Sequence, residues 1–239
     1  MNSVRTLFNS RKVAYPLKDG LRVMTYQNSP ENRKRPWETT KSALSVTKKY
    51  DRIFDIVTMG VHRIWRNRFV TAINPTVDLK CIDVAGGTGG IAFKIHEYAR
   101  RRVIVNLNNN QNNSGPSITV CDVNPAMIEF GKMRAAQLGI GNMEWVQCTA
   151  EHLPFEDETF DLYTIGFGLR FCSDINTVLS EAYRVLRPNG RFYCLESGHM
   201  QSGLFKLLVN LYFTTAIKLA VRDKALAQEL METRQRFPK

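Results

Sequence analysis

The sequence predicts an α/β domain built on a doubly wound, mostly parallel sheet, with additional helices on its N-terminal side. Three observations predict it. Short apolar runs alternate with stretches of helical periodicity from residue 79 to residue 195. A glycine-rich segment, Asp83-Val84-Ala85-Gly86-Gly87-Thr88-Gly89-Gly90, leaves the first apolar run and opens a helix. The chain has 239 residues, 44% of them hydrophobic, which suits one such domain with an appendage rather than two full domains.

The elements follow in order. Leu44, Val46, Tyr50, Ile53, Phe54, Val57, Val61, Ile64 and Trp65 recur near a period of 3.6, which predicts a helix over residues 43–70, interrupted at Gly60. Asn74-Pro75 marks the next turn. Strands are expected over 79–84, 117–123, 143–148, 160–167 and 191–195. Helices are expected between them over 91–101, 125–138 and 174–186, with Pro125 in a first turn and Pro188 and Gly190 stopping the last one. The Asn-rich stretch 106–116 is of low complexity and reads as a surface loop. Residues 204–221 are strongly apolar, but Lys206, Asn210 and Lys218 interrupt them, so an amphipathic helix fits better than a membrane span. Such a helix packs on a core, or serves as a lid or membrane-surface element.

Lys and Arg total 33 against 22 Asp and Glu, a net charge of +11, which suits anionic partners without choosing among nucleic acid, phosphates and membrane. The five cysteines form no C-x-x-C pair, which excludes a disulfide framework and a zinc site, so no metal is expected. Cys81, Cys121, Cys148 and Cys194 lie in strand-like runs and read as small hydrophobes in a reducing compartment. Arg5, Arg11, Lys12 and Lys18 precede the first acidic residue, Asp19, as in a mitochondrial transit segment. Residues 1–41 are therefore expected to be a transit-like segment and a polar linker, with the folded part starting at residue 42.

The glycine segment is the centre of the functional reading. No Lys follows the glycines, which excludes a P-loop, and they do not complete G-x-G-x-x-G. Asp83 at the strand end suits a ligand carrying ammonium or sulfonium charge and would repel a pyrophosphate. Asp122 ends the second strand, where a carboxylate accepts from ribose hydroxyls; the Asn-rich insertion accounts for its long interval from the turn. Thr149 and Ala150 follow the third strand and can meet an adenine edge. Taken singly, these are turn glycines, a helix cap and a loop acid; together they outline one amino-acid–ribose–adenine ligand, S-adenosylmethionine.

The chain also resembles a known family, the class I methyltransferases, and more narrowly the C-methyltransferases of ubiquinone and menaquinone synthesis. The resemblance covers about residues 45–238. It is carried by Tyr50-Asp51, the run from Met59 to Trp65, Asp83 to Gly89, Ala150 to Phe155 with Phe160-Asp161, Phe167-Gly168-Leu169-Arg170, Tyr183 to Pro188, and Cys194-Leu195-Glu196. It implies a Rossmann-like fold lacking the family's last two strands, with a methyltransferase domain over 42–239 and a helical C-terminal region over 200–239. It implies methylation of a ring carbon on a polyprenylated methoxy-benzoquinol, with Asp83, Gly86, Gly87, Thr88, Gly89, Asp122, Thr149 and Ala150 at the cofactor and Arg170 in catalysis. Departures are Gly90 for the usual Asp, Phe54 for Asn, Gly166 for the frequent Ser, Phe171 for Asn, and Ser197 for Phe.

Arginine stays protonated in proteins, so Arg170 is expected to stabilise a phenolate or hold a proton-accepting water. His62 is the remaining base candidate, against a plainer reading as a structural histidine between helices. Glu151 and Glu196 are weaker candidates, a solvated acid and a strand-end cap. Further expectations are an apolar channel for the substrate tail from Val57, Met59, Val61, Ile64, Trp65 and the 204–221 helix, and peripheral contact with the matrix side of the mitochondrial inner membrane. A quinone-synthesis complex or homodimer is also considered, and no nucleic acid is expected. The rival readings are an inactive partner in such a complex, an RNA or other small-molecule methyltransferase, and a dinucleotide dehydrogenase.

Overall fold

A computed structural model describes residues 55–56, 58–105, 115–196, 211–212 and 214–215. The expected transit-like segment, the start at residue 42, most of the Asn-rich loop and most of the C-terminal helical region lie outside the described residues. The elements run α1 (Val61–Ile73), β1 (Lys80–Val84), α2 (Gly90–Val105), β2 (Ser117–Asp122), α3 (Pro125–Gln137), β3 (Met143–Gln147), β4 (Phe160–Gly166), a 3-10 turn (Leu169–Phe171), α4 (Ile175–Val185) and β5 (Leu186–Leu195). The five strands pair in the order β3-β2-β1-β4-β5, all parallel. The chain therefore winds outward through β2 and β3, then crosses back to place β4 on the other side of β1. In such sheets a ligand crevice opens at the strand tips where the order reverses.

Both faces of the sheet are covered, so the central strands are apolar on both sides. On one face, Phe69, Val70 and Ile73 of α1 and Ile91, Ala92 and Ile95 of α2 pack on Cys81, Ile118, Val120 and Leu162. On the other, Val178, Ala182 and Val185 of α4 pack on Ile82, Val84, Tyr163 and Ile165. Each fully buried Ile, Leu or Val side chain contributes about 1.5–3 kcal/mol.

Local rules set the helix starts. Gly60 stands at the N-cap of α1 with φ 72°, so the expected 43–70 helix is broken there and α1 continues to Ile73. Asn124 caps α3 by accepting from the Ala126 N–H, with Pro125 next in the chain, and Asp174 caps α4 by accepting from the Asn176 N–H. One boundary moves. Strand β5 begins at Leu186 rather than at 191, because Leu186 already pairs with Phe160. The Pro188-Asn189-Gly190 stop becomes an irregularity within the strand, with Asn189 at φ 68°, before Arg191 pairs with Leu162.

All five cysteines are free thiols. Cys81 and Cys121 are buried, Cys148 is half-buried, and Cys194, although it lies in β5, is exposed.

Gly131 lies in the body of α3, where Ala is ordinarily better by about 1 kcal/mol. Here a Cβ would come within 2.1 Å of the Trp145 ring on β3. Gly131→Ala therefore lowers stability by about 1–3 kcal/mol in urea unfolding; a gain in stability would show that Trp145 does not wedge against α3.

Candidate functional site

The turn after β1 is tied to β2. The Gly86 N–H donates to the Cys121 carbonyl at 3.0 Å, and the Gly87 N–H donates to Asp122 Oδ2 at 2.9 Å. Gly87 adopts φ 57°, and a Cβ there would meet nothing within 4 Å, so the backbone presents an open approach beside Asp122. Gly86 has no such space: its Cβ would lie 2.7 Å from Val120. Thr88 and Gly89 are buried in the turn.

Asp122 is half-buried at the tip of β2. Its Oδ1 accepts from the Asn124 N–H at 2.9 Å, and its Oδ2 accepts from Gly87. Burial pushes its pKa up, while the N–H groups of Asn124, Gly87 and Val123 oppose the rise. A carboxylate offers about four lone-pair sites. With Gly87 on one oxygen and Asn124 on the other, and Val123 nearby, Asp122 still has lone pairs to offer a vicinal diol. The Cys148 N–H donates to the Asp122 carbonyl at 3.2 Å, which sets the tip of β3 beside it. Thr149 is half-buried and Ala150 buried in the turn that follows, which closes through a bridge between Thr149 and His152. Arg184 braces that loop from below by donating to the carbonyls of Leu153 and Phe155 at 2.9 and 2.6 Å, while Glu181 accepts from the Leu153 N–H. Thus Gly86, Gly87, Thr88, Gly89, Asp122, Thr149 and Ala150 do converge on three adjacent strand tips, those of β1, β2 and β3.

Asp83 does not join them as expected. It is fully buried and contacts protein groups behind the turn. It lies instead between β4 and the start of α2, with Thr164 Oγ1 2.8 Å from Oδ1 and the Ala92 N–H donating to Oδ2 at 3.2 Å. Burial pushes its pKa up to about 7, with Thr164, Ala92 and Arg66 opposing the shift. The Thr164 hydroxyl donates to Asp83 Oδ1 and also lies 3.3 Å from the Ile82 carbonyl. Asp83 thus holds the glycine turn and helix α2 in place. Thr164 was missed by sequence reasoning, although it sits directly opposite Asp83 in the β1–β4 register.

Arg170 occupies the 3-10 turn after β4, paired with Glu196 beyond the end of β5. The Phe167 ring lies 5.9 Å from its guanidinium carbon and 6.1 Å from the Trp65 ring. Phe167 at φ 58° and Ala85 at φ 52° are non-glycine residues in the left-handed region, at the exits of β4 and β1. Each costs about 1–2 kcal/mol, strain of a kind that clusters at functional sites.

His62 lies in the first turn of α1. It is buried, with Nδ1 2.6 Å from Thr58 Oγ1 and Nε2 3.5 Å from Asp55. It lines a groove of about 870 Å³ with Arg66, Gly90, Phe93, Arg100 and Arg134, and neither Arg170 nor Asp122 belongs to its walls. These contacts favour the structural reading of His62. Among the described residues, no cluster of His, Cys, Asp and Glu could hold a metal ion.

A parallel sheet with a glycine turn closed onto a strand-tip carboxylate defines a nucleoside-binding α/β protein of the Rossmann-like kind. The solved structure of the YcgJ protein from Bacillus subtilis shares the fold, with a TM-score of 0.50 at 22% identity over 66% of this chain and 59% of that one. A family model described as the ubiE/COQ5 methyltransferase family matches residues 35–239, and the chain belongs to that family. It is 39% identical over 203 residues to an Arabidopsis thaliana protein named 2-methoxy-6-polyprenyl-1,4-benzoquinol methylase, mitochondrial, covering 81% of this chain and 70% of that one. The Gallus gallus protein of the same name is 38% identical over 220 residues, covering 81% and 71%. The ubiquinone/menaquinone biosynthesis C-methyltransferase UbiE of Bartonella henselae is 39% identical over 202 residues, covering 82% and 73%.

The raised Asp83 pKa has a measurable consequence. The folded chain holds this proton more tightly than the unfolded chain, so its stabilising contribution is complete below about pH 4 and is lost as the pH rises through about 7. Asp83→Asn can keep both hydrogen bonds without titrating. Its denaturant midpoint, relative to the wild type, rises between pH 4 and pH 7; a difference that stays flat would show that Asp83 is ionised throughout.

Proposed function

We propose that this chain methylates a ring carbon of a polyprenylated methoxy-benzoquinol in mitochondrial ubiquinone biosynthesis, using S-adenosylmethionine. The observation that carries this is the Asp122 carboxylate, fixed by two backbone N–H groups beside an open glycine turn in a chain of the ubiE/COQ5 methyltransferase family. The residues present fit the cofactor: a Cβ at position 87 would enter open space, and Asp122 retains lone pairs for two hydroxyls.

Asp122 accepts from the ribose hydroxyls. Gly86, Gly87, Thr88 and Gly89 let the backbone approach the amino-acid end, and Thr149 and Ala150 border the adenine. When bound, the cofactor supplies an electrophilic methyl group on a sulfonium sulfur. The protein's contribution is mainly positioning and exclusion of water. Arg170 stabilises the phenolate that makes the ring carbon electron-rich, or holds the water that takes the ring proton.

The substrate ring enters beside Arg170, where Phe167 and Trp65 form an aromatic wall. Met59, Ile64 and Trp65 are 69%, 55% and 42% exposed, an apolar surface suited to an isoprenoid tail. Val57 and most of the 204–221 segment, expected in the same channel, lie outside the described residues. No helix among the described residues is long and apolar enough to cross a membrane. Peripheral docking on the matrix side of the inner membrane fits the basic groove, lined among the described residues by Arg63, Arg66, Lys94, Arg100, Arg101 and Arg134 with the acids Asp55 and Glu97. Assembly as a homodimer or with other quinone-synthesis proteins belongs to the same proposal.

Two measurements test it. Asp122→Ala weakens S-adenosylmethionine binding at least about tenfold in calorimetric titration, by loss of charge-assisted hydrogen bonds; unchanged affinity places the nucleoside elsewhere. Arg170→Lys leaves that affinity within about twofold but lowers the rate at saturating quinol at least about tenfold, because a compact ammonium does not reproduce the planar guanidinium. Full rate would remove Arg170 from catalysis. A wild-type chain that binds the cofactor yet transfers no methyl group would favour a non-catalytic partner.

A further inference from the structure

We propose that Glu196 is the positioning residue that fixes the Arg170 guanidinium, with its two carboxylate oxygens performing separate tasks; this rests on the role given to Arg170 above. Strands β4 and β5 pair as far as Gly166 and Leu195, and the Phe167 N–H donates to the Leu195 carbonyl at 2.7 Å. The chain then diverges: one strand turns into Leu169–Phe171, and the other presents Glu196 across the gap. Oε1 accepts from the Leu169 N–H at 3.0 Å and fixes the backbone of the 3-10 turn. Oε2 accepts from Arg170 Nε at 3.1 Å and Nη2 at 2.5 Å, and fixes the side chain.

The pair is not an ordinary surface bridge. The Arg170 and Glu196 side chains are 18% and 22% exposed, so water screens the contact only in part. Arginine is long and rotatable, and one oxygen gripping both Nε and Nη2 fixes the plane of its head group. The Phe167 ring, 5.9 Å from the guanidinium carbon, lies alongside. Glu196 acts through Arg170: its oxygens accept from donors of its own chain. This differs from the expected strand-end cap, which accounts for Oε1 alone.

Glu196→Gln separates the two tasks. The amide oxygen can still accept from Leu169, while the amide nitrogen sets donor against donor at the guanidinium. The variant is expected to unfold at the wild-type temperature and to bind S-adenosylmethionine within about twofold of the wild type. Its kcat for quinol methylation falls about ten- to a hundredfold, the size of effect that misplacement of a reacting group by about 1 Å produces. Combined with Arg170→Lys, it costs no more than the worse single variant, because both remove one interaction. A readout independent of turnover is the Arg170 Nε–H resonance, assigned by its disappearance in Arg170→Lys: it is protected from exchange in the wild type and loses that protection in Glu196→Gln. Unchanged kcat, additive losses or retained Nε–H protection in Glu196→Gln would each overturn the proposal. A wild type that transfers no methyl group, yet loses Nε–H protection on Glu196→Gln, would leave the tether standing and reject the proposed function instead.

Discussion

The closure of the glycine turn onto β2 is the constraint on which the rest of the site depends. Two hydrogen bonds, from Gly86 to the Cys121 carbonyl and from Gly87 to Asp122 Oδ2, make the turn and the strand-tip carboxylate one object. The carboxylate proposed to accept from a ribose also sets the path of the glycine-turn backbone beside it. A change at either end is therefore felt at both. The Cys148 N–H on the Asp122 carbonyl extends the same object to the third strand tip.

Behind this clasp lies a second carboxylate whose work is internal. Asp83 and Thr164 are register partners on the two central strands, and Ala92 belongs to the helix that the turn opens. The three groups connect β1, β4 and α2 at the point where the sheet order reverses. Burial makes the ionised form of Asp83 costly, and its hydrogen bonds recover part of that cost. On the far side of the same reversal, Glu196 does for Arg170 what the turn does for Asp122. Asp122 and Arg170 are thus each held in part by a group from a neighbouring strand tip.

Much of this was legible in the sequence because it is local. The strand–turn–helix signal around Gly86, the apolar runs, Pro125 in a first turn, and the acid ending β2 are all read within a few residues. What escaped is long-range pairing. Asp83 looked like a ligand contact because an acid at a strand end is ambiguous; only its neighbour Thr164, 81 positions away, shows where the carboxylate points. The type of His62 allows both a base and a structural role, and its neighbours Thr58 and Asp55 favour the second. Glu196 was read as a cap, which describes one of its two oxygens. The strand boundary at Leu186 was hidden because Pro188 and Gly190 signal a stop, and a sheet edge tolerates the irregularity they impose.

The most direct measurement is a crystal structure of this chain with S-adenosylhomocysteine, the demethylated form of the donor. The geometry predicts both ribose hydroxyls within hydrogen-bonding distance of the Asp122 carboxylate, the purine beside Thr149 and Ala150, and the sulfur on the side of the glycine turn nearest Arg170. A nucleoside seated elsewhere, for example in the arginine-lined groove beside His62, with Asp122 contacting only its own backbone, would contradict the account.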